Sequence, residues 1–359
     1  MKIGILTFHH NNNFGAVLQA IGLTEYLRSL GFNAEVIDFR PPETILSLKG
    51  LSFLQTIKRI VSIALFILPH RVSMYQFNKF RAQFLKKSIP FYKIEQMPTD
   101  YDVYIIGSDQ VWNSKILNHK VYKLYQGEFD RKLGTKLIAY AASAGNGEEL
   151  LEQSSVFARN ICKYDAISVR ESTLQELLDK RFNIRAELVI DPTLLVDRKI
   201  WYAMATKKAF KPYVLVFLVN RCTEARKIIK KVKQFAQEND LEVKFIPIGH
   251  GLKDYKWYRF YSPLDFLTLF FNASFVITTS FHGCCFSMIY EKSFYFLSFN
   301  DTNENRAKNL LNITGLNDRI ITLNSKIILK DIGYKSVYEK LAVHQNISCS
   351  YLRKNFADF

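Results

Sequence analysis

The chain is expected to be an α/β protein built from two units that face each other across a cleft. Three observations predict this. Its 359 residues exceed what one hydrophobic core usually organises. Short apolar, strand-like runs alternate with helical patterns along most of the length. A lysine-rich, weakly apolar stretch from Asp197 to Lys211 interrupts that alternation, which then starts afresh. With 48% hydrophobic residues, burial is not limiting, and 29 Phe and 19 Tyr supply large contact areas. The boundaries read as 1–200 for the first unit, with a basic and apolar helical insert around 45–90, then 205–330 for the second unit and 331–359 for a C-terminal helical tail.

The first strand, Ile3 to Phe8, leads through a polar turn, His9 to Gly15, into a helix from Ala16 to Leu27 that Gly31 stops. A second strand at Ala34 to Phe39 completes a β-loop-α-β unit with parallel strands, whose loop lies at the carboxyl end where open α/β sheets take ligands. Leu51 to Leu68 holds the run Ile60 to Leu68, too short to span a bilayer, which needs about 20 apolar residues. It reads either as an interfacial helix on the inner leaflet or as a helix buried against the first unit. Further strands follow at Tyr101 to Ile106, Leu137 to Ala142, Ala166 to Val169 and Leu188 to Ile190, each delivering small or polar residues to one edge. In the second unit we expect strands at Tyr213 to Val219, Val243 to Ile248, Phe275 to Thr278 and Phe294 to Phe299. Helices are expected at Glu224 to Glu238, Leu264 to Asn272 and near Cys284 to Tyr290, and a basic polar loop from Asn300 to Lys308.

Lysine and arginine outnumber acids by 49 to 33, a formal charge of +16 that favours anionic partners without choosing among them. No nucleic-acid-binding signature is present, so no nucleic acid partner is expected. Five cysteines without a CxxC spacing suggest neither a disulfide framework nor a metal site and fit a reducing compartment. The apolar run at Met1 to Leu6 is too short for a secretion signal, so a cytoplasmic location is expected. HExxH, Walker-type, GxSxG and GxGxxG elements are missing, which argues against the enzyme classes they mark.

His282 follows a strand and precedes Gly283, at a loop-to-helix junction that also contains Ser280 and favours anions. Histidine gives or takes a proton near neutrality without large tuning, so His282 is the leading acid/base candidate, with hydrogen-bonded packing as the alternative reading. Arg170 stands directly after a strand end, exposing its planar fork to a carboxylate or phosphate, unless it merely pairs with Glu171. Arg306 is similarly placed in the second unit. Asp109, beside Ser108, could accept a proton from a hydroxyl, although aspartate is also an ordinary turn former. Asn13 and Gly15 either approach a ligand closely or shape their loop. Cys284 and Cys285 read as small residues at a helix start rather than nucleophiles.

Five fragments in order, Asn13 to Gln19, Gly107 to Asn113, Ser168 to Glu171, Asp191 to Thr193 and Ser280 to Gly283, resemble the polysaccharide pyruvyl transferase family. The resemblance runs from the first strand to about Arg319. One position departs from it: relatives commonly carry Asp before Ser-Phe-His-Gly, where this chain carries Thr279. The resemblance implies two Rossmann-like domains facing across a cleft in a GT-B-like arrangement. It also implies transfer of pyruvate from phosphoenolpyruvate, as donor substrate, onto hydroxyls of a sugar as a ketal, without metal or other cofactor. His282 would then move the proton and Asp109 act as hydroxyl base. Arg170 and Arg306 would bind the donor, with Asn13, Gly15, Ser108, Ser280 and Gly283 around the substrates. The acceptor would be a saccharide of a bacterial surface glycan, free or lipid-linked, and the enzyme would work in the cytoplasm or peripherally on the inner membrane face. Two other readings stay open: a GT-B glycosyltransferase using a nucleotide-sugar, and a non-catalytic, membrane-peripheral glycan-assembly protein.

Overall fold

A computed structural model describes residues 1–40, 72–115, 119–145, 147, 150–151, 154–219, 224–247, 261–299, 301 and 304–357. The apolar stretch Leu51 to Leu68 lies outside these residues. The first sheet comprises β1 (Lys2–Leu6), β2 (Asn33–Val36), β3 (Val103–Ile106), β4 (Lys136–Ala142), β5 (Ala166–Val169) and β6 (Glu187–Leu188). All pairings are parallel, in the order β2-β1-β3-β4-β5-β6. The second sheet comprises β7 (Tyr213–Leu218), β8 (Glu242–Pro247), β9 (Phe275–Thr278), β10 (Ser293–Leu297) and β11 (Ile320–Ile321), again all parallel, in the order β11-β10-β9-β7-β8. The two sheets thus repeat one winding scheme. In each, the chain reverses direction of travel beside the first strand, between β1 and β3 and between β7 and β9, and such switch points open a crevice at the carboxyl edge.

The central strands β3 and β9 are buried on both faces and therefore read as apolar runs rather than alternating ones. Helices close over them: α1 (Phe14–Ser29), α2 (72–84), α3 (His119–Tyr125), α4 (Ser154–Ile161) and α5 (Ser172–Phe182) in the first domain. Two short helices, α6 (Pro192–Leu195) and α7 (Lys199–Met204), bridge toward α8 (Ala225–Glu238), α9 (Pro263–Asn272), α10 (Phe281–Ile289) and α11 (Asn305–Ile313) of the second. Local chemistry sets their starts. Asn13 Oδ1 accepts from the Ala16 amide at 3.2 Å, and Ser262 and Asp265 form a capping box ahead of α9 with Pro263 in its first turn.

Two expectations need correction. The lysine-rich stretch after Asp197 is not a bare connector: Trp201 is buried in α7 and its indole N–H donates to the Thr193 carbonyl at 2.9 Å. A single tryptophan outweighs the polar composition around it because its burial removes more apolar area than the lysines add cost. The expected polar loop around Arg306 is instead the first turn of α11, whose Ala307, Leu310 and Leu311 are buried at helical spacing.

The two domains touch through an apolar seam as well as a polar cleft. Phe14 of α1 stacks on Phe266 of α9 at 4.8 Å between centroids, and one apolar cluster runs from Ile3, Val17 and Leu18 to Phe217, Phe270 and Phe286. The last helix, α12 (Tyr334–Phe356), returns from the second domain to the first. Tyr334 and Tyr338 donate to the Ser287 and Met288 carbonyls of α10, while Ser348 donates toward no strand but accepts from the Ile190 amide at 3.0 Å, and Tyr351 donates to the Ala139 carbonyl at 2.8 Å. At the cleft, Gly15 lies against the His282 ring so closely that a Cβ there would overlap it. We therefore expect Gly15→Ala to cost about 1–3 kcal/mol by overpacking, while Gly333→Ala, whose Cβ meets nothing nearby, stays close to neutral. Denaturant unfolding of both variants checks this.

Candidate active site

The centre of the site is the guanidinium of Arg170, 1% exposed, at the end of β5. Its Nη1 donates to Asp191 Oδ2 at 2.7 Å and its Nη2 to Asp109 Oδ1 at 2.9 Å, with Glu171 Oε1 3.7 Å from Nε. Burial works against its charge, but Asp109, Asp191 and Glu171 hold its pKa above the ordinary arginine value. Two of its nitrogens are thus bonded to carboxylates of its own domain, while its buried Nε has no hydrogen-bond partner among the described residues. Asp109 occupies a left-handed backbone position, φ 79°, just past β3. Such a conformation persists only when the surroundings over-determine it, and here it aims the carboxylate at Arg170. Burial raises the Asp109 pKa, but Arg170, His282 and Arg306 outweigh it and hold the carboxyl below its usual range.

Asp191 divides its two oxygens between two tasks. Oδ1 caps α6, accepting from the Thr193 amide at 3.0 Å and the Thr193 hydroxyl at 2.8 Å. Oδ2 takes Arg170 and faces His282 Nε2 across the cleft at 3.7 Å. Nε2 has no hydrogen-bond partner among the described residues, so this is a close approach short of a formed hydrogen bond. Burial opposes the Asp191 charge, yet the facing imidazole, Arg170 and the Thr193 amide keep its carboxyl well below the usual range. His282 itself sits in the first turn of α10, 8% exposed.

Thr279, the position where relatives commonly carry Asp, is turned away from His282. Its Oγ1 accepts from the Val219 amide at 2.9 Å and lies 3.1 Å from the Val219 carbonyl, tying the ends of β7 and β9 together. The carboxylate opposite the histidine comes from the other domain instead.

Arg306 reaches in from α11. Its Nη1 lies 3.8 Å from Asp109 Oδ1 and its Nε 3.8 Å from Glu171 Oε1, and Nε has no hydrogen-bond partner among the described residues. Turned so that its oxygen faces the guanidinium, the Gln110 carboxamide accepts from Arg306 Nη1 at 3.2 Å and also from Arg306 Nη2. Burial and the neighbouring Arg170 lower the Arg306 pKa. The ring of Phe281 lies between the two cations, 5.0 Å from the Arg170 guanidinium carbon and 5.9 Å from that of Arg306. Glu171 accepts from the Ser143 hydroxyl at 2.5 Å, its Oε2 is unpartnered among the described residues, and burial pushes its carboxyl up against the pull of both arginines. Beside this group opens a shallow recess lined by Arg170, Asp191, Phe281, Arg306, Asn309 and His344.

The structure thus gathers His282, Asp109, Arg170, Arg306 and Ser108 at one place. Ser108 is buried and donates to Asp191 Oδ2 at 3.4 Å. Asn13 and Ser280 stand at the starts of α1 and α10, and Gly283 is pressed against Thr278, where a Cβ would overlap that side chain. These three shape the loops that hold the site. Neither Asp191 nor Glu171 is expected from the sequence as a site residue: Glu171 enters only as a possible partner of Arg170, and Asp191 only within the Asp-Pro-Thr fragment of the family resemblance. Among the described residues no group of three or more His, Cys, Asp or Glu is arranged to hold a metal ion.

Arg170→Met leaves buried carboxylates without their cation, which costs about 3–5 kcal/mol at pH 7. In the native protein Asp109 and Asp191, with depressed pKa values, contribute stability that is present above pH about 4 and lost as pH falls through their folded values. In the variant burial acts on them without the opposition of Arg170 and raises their pKa relative to the native protein, so protonation relieves the penalty. The gap between the two proteins should narrow from pH 7 toward pH 4; a gap that is constant with pH contradicts the assignment.

Residues 13–301 match the family model for polysaccharide pyruvyl transferase. A comparison with curated proteins finds no match. Among solved structures, the chain is similar to one from Listeria monocytogenes assigned as a UDP-N-acetylglucosamine 2-epimerase, at 10% identity and a TM-score of 0.50, covering 100% of this chain and 97% of that one. It is also similar to the UDP-GlcNAc 2-epimerase of Methanocaldococcus jannaschii, at 11% identity and a TM-score of 0.46, covering 96% and 93%. At such identities the first of these speaks to the fold alone, two Rossmann-like domains in a GT-B-like arrangement. With the match spanning both sheets and all five site-bearing segments, the chain belongs to the polysaccharide pyruvyl transferase family.

Proposed function

We propose that this transferase moves pyruvate from phosphoenolpyruvate onto two hydroxyls of one sugar as a ketal, the sugar belonging to a bacterial surface polysaccharide or its lipid-linked precursor. The observation that carries this reading is the His282–Asp191 pair closed across the cleft beside Arg306, a cation whose carboxylate contacts are both 3.8 Å. His282 protonates the methylene carbon of the enol, with Asp191 orienting the ring and serving as countercharge. The adjacent carbon then accepts the first sugar oxygen, the bond to the phosphate oxygen breaks, and the second sugar oxygen adds. Of the two hydroxyl protons released, one balances the proton taken up by carbon and the other leaves with phosphate. Asp109 receives a hydroxyl proton in this scheme. Arg306, whose carboxylate contacts are too long for hydrogen bonds, turns onto the donor's phosphate or carboxylate and stabilises the departing charge, while Arg170, hydrogen-bonded to Asp109 and Asp191, fixes those two in place.

The working site is cytoplasmic, at the inner face of the membrane, where Ile60 to Leu68 provides an apolar stripe flanked by cations. Among the described residues no helix is long and apolar enough to cross a membrane.

Purified protein with a surface-glycan acceptor should release inorganic phosphate from phosphoenolpyruvate. His282→Ala should lower that rate by about 10²–10⁴, whereas turnover of a nucleotide-sugar panel in place of phosphoenolpyruvate would assign the site to glycosyl transfer. Replacing Ile60 to Leu68 with polar residues should release the protein from anionic liposomes; equal partition of both forms removes the membrane location.

A further inference from the structure

A second cluster of charge lies on the first domain, outside the His282–Asp191 pair. Asp38, just past β2 and 1% exposed, is the one carboxylate at its centre. Its Oδ2 receives both Arg40 Nη2 at 2.8 Å and Lys87 Nζ at 2.7 Å, and its Oδ1 receives Arg40 Nε at 2.9 Å and faces His9 Nε2 at 3.1 Å. Two cations on a single carboxylate oxygen leave positive charge in excess, and Arg40 and Lys87 are 30% and 24% exposed, so that excess faces solvent. Arg81 adds to it from α2. It is buried, and its hydrogen bonds among the described residues go to neutral oxygens, the His9 and Asn11 carbonyls and Asn78 Oδ1. Half-buried His10 stands among these groups, its pKa lowered by burial and by Arg81, His9 and Arg40. Tyr92, 54% exposed, lies beside Arg40 and offers a flat apolar face next to the charge.

The position of the cluster connects it to the site already described. Its histidines lie in the loop at the carboxyl edge of β1 that leads directly into α1, whose second residue is the Gly15 that touches His282. Gly15 is five positions after His10, so the two lie at most about 18 Å apart. An extended molecule with its reacting sugar at His282 reaches the cluster within a few ring lengths.

We propose that Arg40, Lys87, Arg81 and His10 form an anion subsite that takes a phosphate-bearing part of the acceptor, with Tyr92 against the neighbouring sugar. That the ligand is the acceptor rests on the pyruvyl transfer reading; the anion binding does not. A lipid carrier's diphosphate and a soluble sugar phosphate present the same oxygens to the subsite.

The test is calorimetric titration with inorganic pyrophosphate in an Arg306→Gln background, which removes the loosely held cation of the catalytic cleft. Lys87→Gln and His10→Gln should each weaken pyrophosphate about tenfold or more, and Lys87→Arg, which keeps the charge on Asp38, should retain it. Absence of pyrophosphate binding, unchanged affinity in both neutral variants, or equal loss in Lys87→Arg and Lys87→Gln overturns the subsite. Two competitors separate the sources: glucose 1-phosphate, and phosphatidylcholine vesicles with and without a polyprenyl diphosphate. Displacement of pyrophosphate by the sugar phosphate, or only by the diphosphate vesicles, identifies the source; displacement by neither overturns the proposal. Pyrophosphate binding without phosphoenolpyruvate-dependent phosphate release would instead sink the transferase reading alone.

Discussion

The site is organised around one buried guanidinium. Arg170 binds Asp109 from the turn after β3 and Asp191 from the turn after β6, so three strand ends of one sheet are held in register by two charge-assisted hydrogen bonds. A cation at that depth is costly unless fully bonded, and carboxylates at that depth are costly unless paired. Each therefore enforces the other's position. The chemistry that follows inherits this: the carboxylate facing His282 is placed by Arg170 and by the α6 cap, not by the histidine's own domain.

That division explains how Thr279 can stand where relatives commonly carry Asp. The second domain uses the position to close the gap between β7 and β9 through backbone bonds, while orientation of the imidazole falls to the first domain. The histidine then has its carboxylate only when the cleft is closed. Arg306 obeys the same geometry from the other side, since its carboxylate neighbours Asp109 and Glu171 are also residues of the first domain.

Much of the fold was legible because its strands are fully buried and parallel, which writes them as uninterrupted apolar runs ended by small or polar residues; Ala166–Val169 and Phe275–Thr278 were readable to the residue. The misreadings share a cause. Around Trp201 and around Arg306, charged side chains cover helices whose inward face consists of few residues, so composition signals a loop while packing forms a helix. For the site, residue types at strand ends pointed to His282, Arg170 and Asp109, but pairing is a three-dimensional property. Asp191 lies 91 positions from His282, and no spacing rule links a helix-capping aspartate to a histidine in another domain. The distinction between Arg170, bonded to two carboxylates, and Arg306, 3.8 Å from its nearest ones, likewise appears only with distances.

The closing helix sets a mechanical limit on this arrangement. Over its 23 residues α12 contains neither glycine nor proline, and at 1.5 Å per residue it is a strut of about 34 Å. One end is fastened to the helix that carries His282, the other to the sheet that carries Arg170. Relative rotation of the domains would break one of these fastenings, so the helix that holds the two domains at a fixed spacing also holds the imidazole of one at a fixed spacing from the carboxylate of the other.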